Sequence, residues 1–299
     1  GADNIAIGKN SMVSNTTGAN NIAMGSLSLD ANTTGAENIA IGYEALTNNT
    51  TAGNNVAIGK DALRANTIGN TNIAIGTDAM TTNVAADRNV AIGEQALQNM
   101  TSATSADTYN VAIGYNAGLS ITSGLRNTAV GGLALDAQTT ENDNVAVGYN
   151  ALGAEGSGFR NTAIGSSAGS TQNGTSNNTL LGYAAGNAIT TGGANTFLGS
   201  DSGDATTTGE NNAGVGQASL GANTTGSSNT ALGMNAMRDN TTASANTAVG
   251  TNALLVNTTG TGLCAIGRQA LKANTTSNFN TAVGAEAMDT NTTGHSNTA

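Results

Sequence analysis

Proline and tryptophan are missing from this 299-residue chain, and cysteine and histidine occur once each, as Cys264 and His295. Without proline every backbone N–H stays available to a strand ladder. One cysteine excludes an intrachain disulfide, and one histidine with no cysteine or carboxylate cluster around it leaves no metal-ligand spacing. Charged residues make up 9 %, against about 25 % in ordinary soluble domains. So low a charge is unlike a highly charged disordered chain. The net charge of −10 offers no basic patch to neutralise phosphates, which argues against a nucleic-acid partner. No apolar run approaches the roughly 18 residues of a membrane-spanning helix. Gly1-Ala2-Asp3 carries neither an initiator Met nor a signal peptide, and the last residues stop inside a repeated phrase. Both ends lead us to expect a piece of a longer fibre.

What the chain has instead is repetition. The phrase Asn-x-Ala-(Ile/Val)-Gly returns with a 17-residue period, its glycine standing at Gly8, Gly25, Gly42, Gly59, Gly76 and Gly93. After one step of 21 it resumes at Gly114 and runs on at 17 to Gly284. A fixed short period is the mark of a solenoid. With the anchor glycine as position 0, position −4 is Asn except at Leu263, −1 is always a sizeable apolar residue, and −2 is Ala except at Leu180, Phe197 and Gly214. Position −3 is Ile or Val early (Ile5, Ile22, Val56) and mostly Thr later (Thr162, Thr179, Thr247).

Four residues alternating in this way predict a short strand. Positions −1 and −3 share a face, which is expected to be the core; −2 would then point outward against another backbone. The anchor glycine would turn the chain. A second short strand is expected around +3 (always Ala or Ser) and +4 (Leu or Met, or Gly at Gly118, Gly169, Gly186 and Gly203). Bulky Leu180 and Phe197 at −2 fall in repeats whose +4 is glycine, Gly186 and Gly203. Such volume exchange would belong to a single packed space, although Gly118 and Gly169 at +4 have only Ala112 and Ala163 at −2. It conflicts with an outward −2, and the sequence leaves both readings of that position open.

A lone coil buries too few apolar side chains to offset the entropy of ordering its backbone, so coils must stack, like residue on like, about 4.8 Å apart. The expectation is an all-β fold: a parallel β-solenoid of 17 coils with two short strands per coil, continuous over 1–299 and roughly 80 Å long on that spacing. The one insertion, at 98–110, should bulge outward. Small residues at −2 and +3 would be covered by neighbouring chains in a parallel homo-oligomer.

Nothing in the pattern assembles a catalytic site, a cofactor site or a metal site, and the calcium-binding nonapeptide of Gly-rich rolls is absent. Cys264, at −3, is expected to fill the core, and His295 to sit solvated in a turn. Glu44, Asp61, Asp78 and Glu94 share positions +1 or +2 in consecutive coils and read as a solvated edge, with a cation stripe as the alternative. Tyr43, Tyr115, Tyr149 and Tyr183 share position +1 and are expected outside. The −4 asparagines are expected to form an amide ladder from coil to coil. Asn-x-Thr acceptor patterns recur at Asn15, Asn32, Asn49, Asn223, Asn240, Asn257, Asn274 and Asn291. They are candidate glycosylation sites in a secreted chain, or simply turn formers.

Phrases such as Asn144-Val145-Ala146-Val147-Gly148 and Asn161-Thr162-Ala163-Ile164-Gly165 resemble the head repeats of trimeric autotransporter adhesins, the YadA-like haemagglutinin repeat. The resemblance spans essentially the whole chain, although the family repeat is usually shorter, the extra length here lying in the Asn-Thr-Thr-Gly turn. It implies a trimer of parallel β-rolls on a bacterial surface; similar 17-residue arrays look like parts of phage tail fibres. The expected function is therefore a structural and adhesive fibre segment, extracellular or on a cell or virion surface, without enzyme activity. Its partners would be copies of itself, further fibre end to end, and a host surface or glycan. An ice- or crystal-binding solenoid is the competing expectation. It would use Thr at −3 from Thr128 onward, but Ile and Val at −3 in the first third point that position inward.

Overall fold

The computed structural model describes residues 1–101 and 106–299. They form two compact units, Gly1–Tyr149 and Asn150–Ala299. Each is a parallel β-solenoid without helices among the described residues, and the two hold about 16 turns between them.

In the first unit the strands are β1 (Ile5–Ile7), β2 (Ile22–Met24), β3 (Ile39–Ile41), β4 (Val56–Ile58), β5 (Ile73–Ile75), β6 (Ala86–Asp87), β7 (Val90–Ile92), β8 (Ala106–Asp107), β9 (Val111–Ile113), β10 (Thr128–Val130) and β11 (Val145–Val147). Apart from β6 and β8 they pair parallel in strict repeat register, Ala40 against Ala57 and Ile41 against Ile58. The second unit repeats this with β12 (Thr162–Ile164), β13 (Thr179–Leu181), β14 (Thr196–Leu198), β15 (Ala213–Val215), β16 (Thr230–Leu232), β17 (Thr247–Val249), β18 (Cys264–Ile266) and β19 (Thr281–Val283).

The insertion keeps the ladder on both sides. Ala86 pairs with Ala106 and Asp87 with Asp107, and β7 pairs directly with β9. The outward bulge expected at 98–110 falls in part on residues 102–105, outside the described residues.

Apart from the two coils that hold β6 and β8, each coil carries one short strand among the described residues, not two. The expected second strand around +3 and +4 is a turn, because backbone angles there are not extended. Position +2 is left-handed, as at Glu44 (φ +56°) and Asp61 (φ +57°), and so is +4, as at Leu46 and Leu63 (both φ +51°). Left-handed φ costs a side-chain-bearing residue about 1–2 kcal/mol. It persists because these turns are themselves laddered: Leu29 N–H donates to Ala45 O, Leu46 to Ala62 and Leu63 to Ala79, each at 3.0 Å.

The inside and outside of the strand are the reverse of the expectation. Ala23, Ala40, Ala57, Ala74 and their equivalents at −2 are buried, as are the small residue at +3 and the Leu or Met at +4. Positions −1 and −3 face outward: Ile7 is 57 % exposed and Leu232 48 %. Thickness is the reason. So short a coil encloses so little space that a methyl group from −2 and one Leu from +4 fill it. Two branched side chains would not fit. The −2 and +3 positions, expected to be covered by neighbouring chains, are thus covered by their own coil. Cys264 follows its position and is half-buried on the outer face.

The anchor glycines have φ between +127° and +142°, a region that L side chains rarely adopt. They also stack backbone on backbone. A Cβ on Gly25 would lie 2.3 Å from the carbonyl oxygen of Gly42. Both facts make glycine obligatory there.

Candidate interaction surface

Two columns of asparagine amides shape the coils in which they occur. At −4, Asn38 accepts the backbone N–H of Asn55 on its Oδ1 at 3.0 Å, and its Nδ2 donates to the carbonyl of Ala52 at 2.9 Å. At +7 stands a second column, which includes the asparagines of all eight Asn-Thr-Thr triplets and is interrupted from Met100 to Thr206, where other residues hold the position. Asn49 Nδ2 donates to that same Ala52 carbonyl at 3.0 Å and to Asn32 Oδ1 in the preceding coil at 2.9 Å. The arrangement recurs at Gly69, with Asn55 and Asn66 (both 2.9 Å), and at Gly226, with Asn212 (2.9 Å) and Asn223 (3.0 Å). Two sides of the coil are thereby clamped to one carbonyl.

Asn32, Asn49, Asn223, Asn240, Asn257 and Asn274 are fully buried, and Asn15 and Asn291 partly so. Their Nδ2 atoms, the atoms a glycan would occupy, donate into the turns. In the folded chain the eight sequon side chains therefore serve the coil interior. Sequence reasoning identified the −4 ladder but read the asparagines at +7 only as turn formers or acceptors. Their recurrence in strict register with the anchor glycine was the available signal.

With amides, alanines and leucines inside, the surface carries what remains. In the first unit, β1 to β9 without β6 and β8 present Ile or Val at −3 beside Ile or Met at −1. The face is two apolar columns with rungs about 4.8 Å apart. In the second unit the same face becomes Thr beside an aliphatic residue: Thr162 and Ile164, Thr179 and Leu181, Thr230 and Leu232, Thr247 and Val249. Cys264 substitutes for Thr in one rung and Ala213 in another.

Next to this face, at +1, stand the exposed tyrosines Tyr43, Tyr115, Tyr149 and Tyr183. The Tyr43 hydroxyl is pushed above its usual range by the Glu44 carboxylate, through a hydrogen bond and its charge. Tyr149 lies over Gly132, its Cδ2 being 3.7 Å from where a Cβ would sit.

Charges are sparse and, apart from Asp61, Asp87 and Glu155, lie at least partly exposed among the described residues. Arg126 meets Asp143 through Nε at 2.6 Å and Nη2 at 3.1 Å, one coil apart. Arg88 pairs with Asp107 and sits 5.8 Å from the Tyr109 ring centre. Asp61, paired with Lys60 at 3.1 Å, lies nearly buried rather than on a solvated edge. His295 is exposed, and its Nδ1 accepts the Asn278 N–H at 3.0 Å.

An open groove of about 340 Å³ in the second unit is lined by Ser176, Asn177, Thr191, Gly193, Glu210 and Asn211, among others. Glu210 is the one ionisable residue in its lining, so the groove pairs no acid with a base. Among the described residues no helix is long and apolar enough to cross a membrane. Compared with protein-family models and with curated proteins, the sequence matches none of them.

Proposed function

We propose that this chain is a structural and adhesive segment of an extracellular fibre, carried on a cell or virion surface, in which parallel copies cover one another along the −1 and −3 columns. The observation that carries the reading is the outward-facing, partly exposed apolar face of the first unit. Ile39, Ile41, Val56, Ile58, Ile73 and Ile75 form contiguous rungs outside the coil, and contiguous exposed apolar patches of this kind mark association sites. Because each rung repeats its neighbour, a parallel symmetric partner meets the same chemistry at every step. The resemblance to trimeric autotransporter heads sets the number of copies at three, and the tail-fibre shaft is the same architecture in another setting. In this reading the chain binds and spaces, and catalyses nothing.

Light scattering on the purified chain tests it. The expected result is a trimer, with Ile58→Glu and Ile75→Glu together giving a monomer that keeps its β circular dichroism. A wild-type chain that is monomeric at high concentration would sink the proposal.

A second reading gains from the outward orientation of −3. The Thr-x-aliphatic rungs of the second unit form a regular hydroxyl and methyl array of the kind that an ice- or crystal-binding solenoid would use. The argument that −3 points inward no longer stands against it. Thermal hysteresis that disappears in Thr230→Lys and Thr247→Lys would favour this reading over the fibre; no hysteresis would end it.

A further inference from the structure

The regular backbone pattern of the turns is broken beside a buried carboxylate, where the +9 N–H groups of two coils, Ser157 and Gly174, both donate to Glu155. In a regular turn, residues +8 and +9 both donate their N–H groups to one carbonyl of the next coil: Thr190 and Thr191 to Thr207 O at 2.9 and 3.2 Å, and Thr207 and Thr208 to Thr224 O at 2.9 and 3.2 Å. Asn173 and Gly174 hold the same positions. Asn173 N–H makes only a long bond to Thr190 O, at 3.4 Å. Gly174 N–H turns back to Oε1 of Glu155, at 2.9 Å.

Glu155 occupies the +7 position, where most coils have asparagine. It is fully buried, its Oε1 also accepts the N–H groups of Gly158 (2.6 Å) and Ser157 (3.1 Å), and its Oε2 has no hydrogen-bond partner. Asn173–Gly174 is also the one Asn-Gly dipeptide in the sequence. Asn173 is exposed. Gly174, at φ +83°, presents no Cβ, and a Cβ there would approach only Ser157 Oγ, at 3.0 Å. The amide nitrogen of Gly174 is thus unshielded by a side chain and has an anionic proton acceptor on its hydrogen.

We propose that Asn173–Gly174 is a self-modification site with Glu155 as its base. The Gly174 nitrogen attacks Asn173 Cγ while its proton passes to Glu155 Oε1. The N–Cγ bond forms, the Cγ–Nδ2 bond breaks, and the amide nitrogen leaves as ammonia, taking that proton. The five-membered succinimide is then opened by water at either carbonyl, giving aspartate or isoaspartate at 173. One water is consumed and one ammonia released, and no oxidant, reductant or metal takes part. The product adds a negative charge beside the polar groove that Gly174 helps to line. The isoaspartate form also adds a methylene to a backbone whose coils otherwise keep a constant register.

The test is peptide mapping of the full chain after incubation in ¹⁸O-water at mildly alkaline pH, with isoaspartate read by enzymatic methylation. Conversion is expected at Asn173 ahead of every other asparagine, and faster in the native chain than in the same chain held unfolded in urea. Glu155→Gln is expected to slow it by about 10²-fold, the lower end of what a positioned base contributes. The comparison of native and unfolded wild type needs no variant, so a Glu155→Gln chain that fails to fold leaves the test intact. A native rate no faster than the unfolded one would mean that the Glu155 hydrogen bond locks the amide instead of activating it. Either that result or an unchanged rate in a folded Glu155→Gln chain overturns the proposal.

Discussion

Phe197 occupies the space that a side chain on Gly203 would need: a Cβ on Gly203 would fall 2.4 Å from Phe197 Cε2. In most coils this volume is divided the other way, between Ala at −2 and Leu or Met at +4, as with Ala57 and Leu63. Phe197→Ala alone should cost about 3–5 kcal/mol through the cavity it leaves. Gly203→Leu alone should cost about 1–3 kcal/mol by overpacking. The double variant restores the common pairing and should be more stable than the sum of the single losses, by a coupling of about 0.5–3 kcal/mol. Denaturant unfolding of the four proteins measures it. Additive losses would show that the two positions do not share one space.

That pairing was legible in the sequence, from the coincidence of Phe197 with Gly203 and of Leu180 with Gly186, and so were the period, the parallel stacking and the −4 ladder. The face of the strand was not. Alternation says that −1 and −3 lie together opposite −2, but not which side is inside. The usual rule sends branched residues inward, and here the thinness of the coil overrode it. The second strand failed for a related reason. Leu46 and Leu63 read as strand formers, yet the chain must turn back within a single repeat, and left-handed φ at +2 and +4 does the turning. The structural use of the sequon asparagines was hidden because Asn-Thr-Thr-Gly is equally good turn chemistry with its amide exposed.

Gly59 and Gly132 separate two roles of glycine within one unit. At Gly59, φ is +134° and a Cβ would sit 2.5 Å from the carbonyl oxygen of Gly76. At Gly132 nothing lies closer than 3.7 Å. Gly59→Ala should exceed the roughly 1–3 kcal/mol of backbone strain alone, because two stacked coils must also separate. Gly132→Ala should stay within about 0.5 kcal/mol of wild type. Thermal melts of the two variants decide this, and equal midpoints would contradict the stacked-glycine account.

Leu263 breaks the −4 ladder and serves as an internal control. Its own N–H still donates to Asn246 Oδ1 at 2.9 Å, but it has no amide to offer the next coil. In an unbroken stretch, Asn55 Oδ1 accepts the Asn72 N–H at 2.9 Å and Asn55 Nδ2 donates to Gly69 O at 2.9 Å. Leu263→Asn should therefore stabilise the chain, by about 1 kcal/mol for the added hydrogen bonding. Asn55→Leu should destabilise it by about 1–3 kcal/mol, since the Asn72 N–H is left buried without its acceptor. Urea midpoints with unchanged m-values would check both signs. A destabilised Leu263→Asn would mean that apolar packing around Leu263 outweighs the amide.

Asp204 gives the pH dependence a definite sign. Burial raises its carboxyl pKa above the ordinary 3.8, and the charge of Asp201 adds to the effect. Burial alone does the same to Asp136 in the first unit. A carboxyl with a raised folded-state pKa holds its proton more tightly folded than unfolded. The stabilisation it gives is complete below 3.8 and is lost as pH rises through the folded value, so at neutral pH the ionised group works against folding. Asp204→Asn should therefore raise the melting temperature at neutral pH and lose that advantage on acidification below 3.8, with Asp136→Asn behaving alike. Melts of wild type and variants across that range test it. An advantage that grew on acidification would show that a favourable contact of the carboxylate, and not its burial, governs its titration.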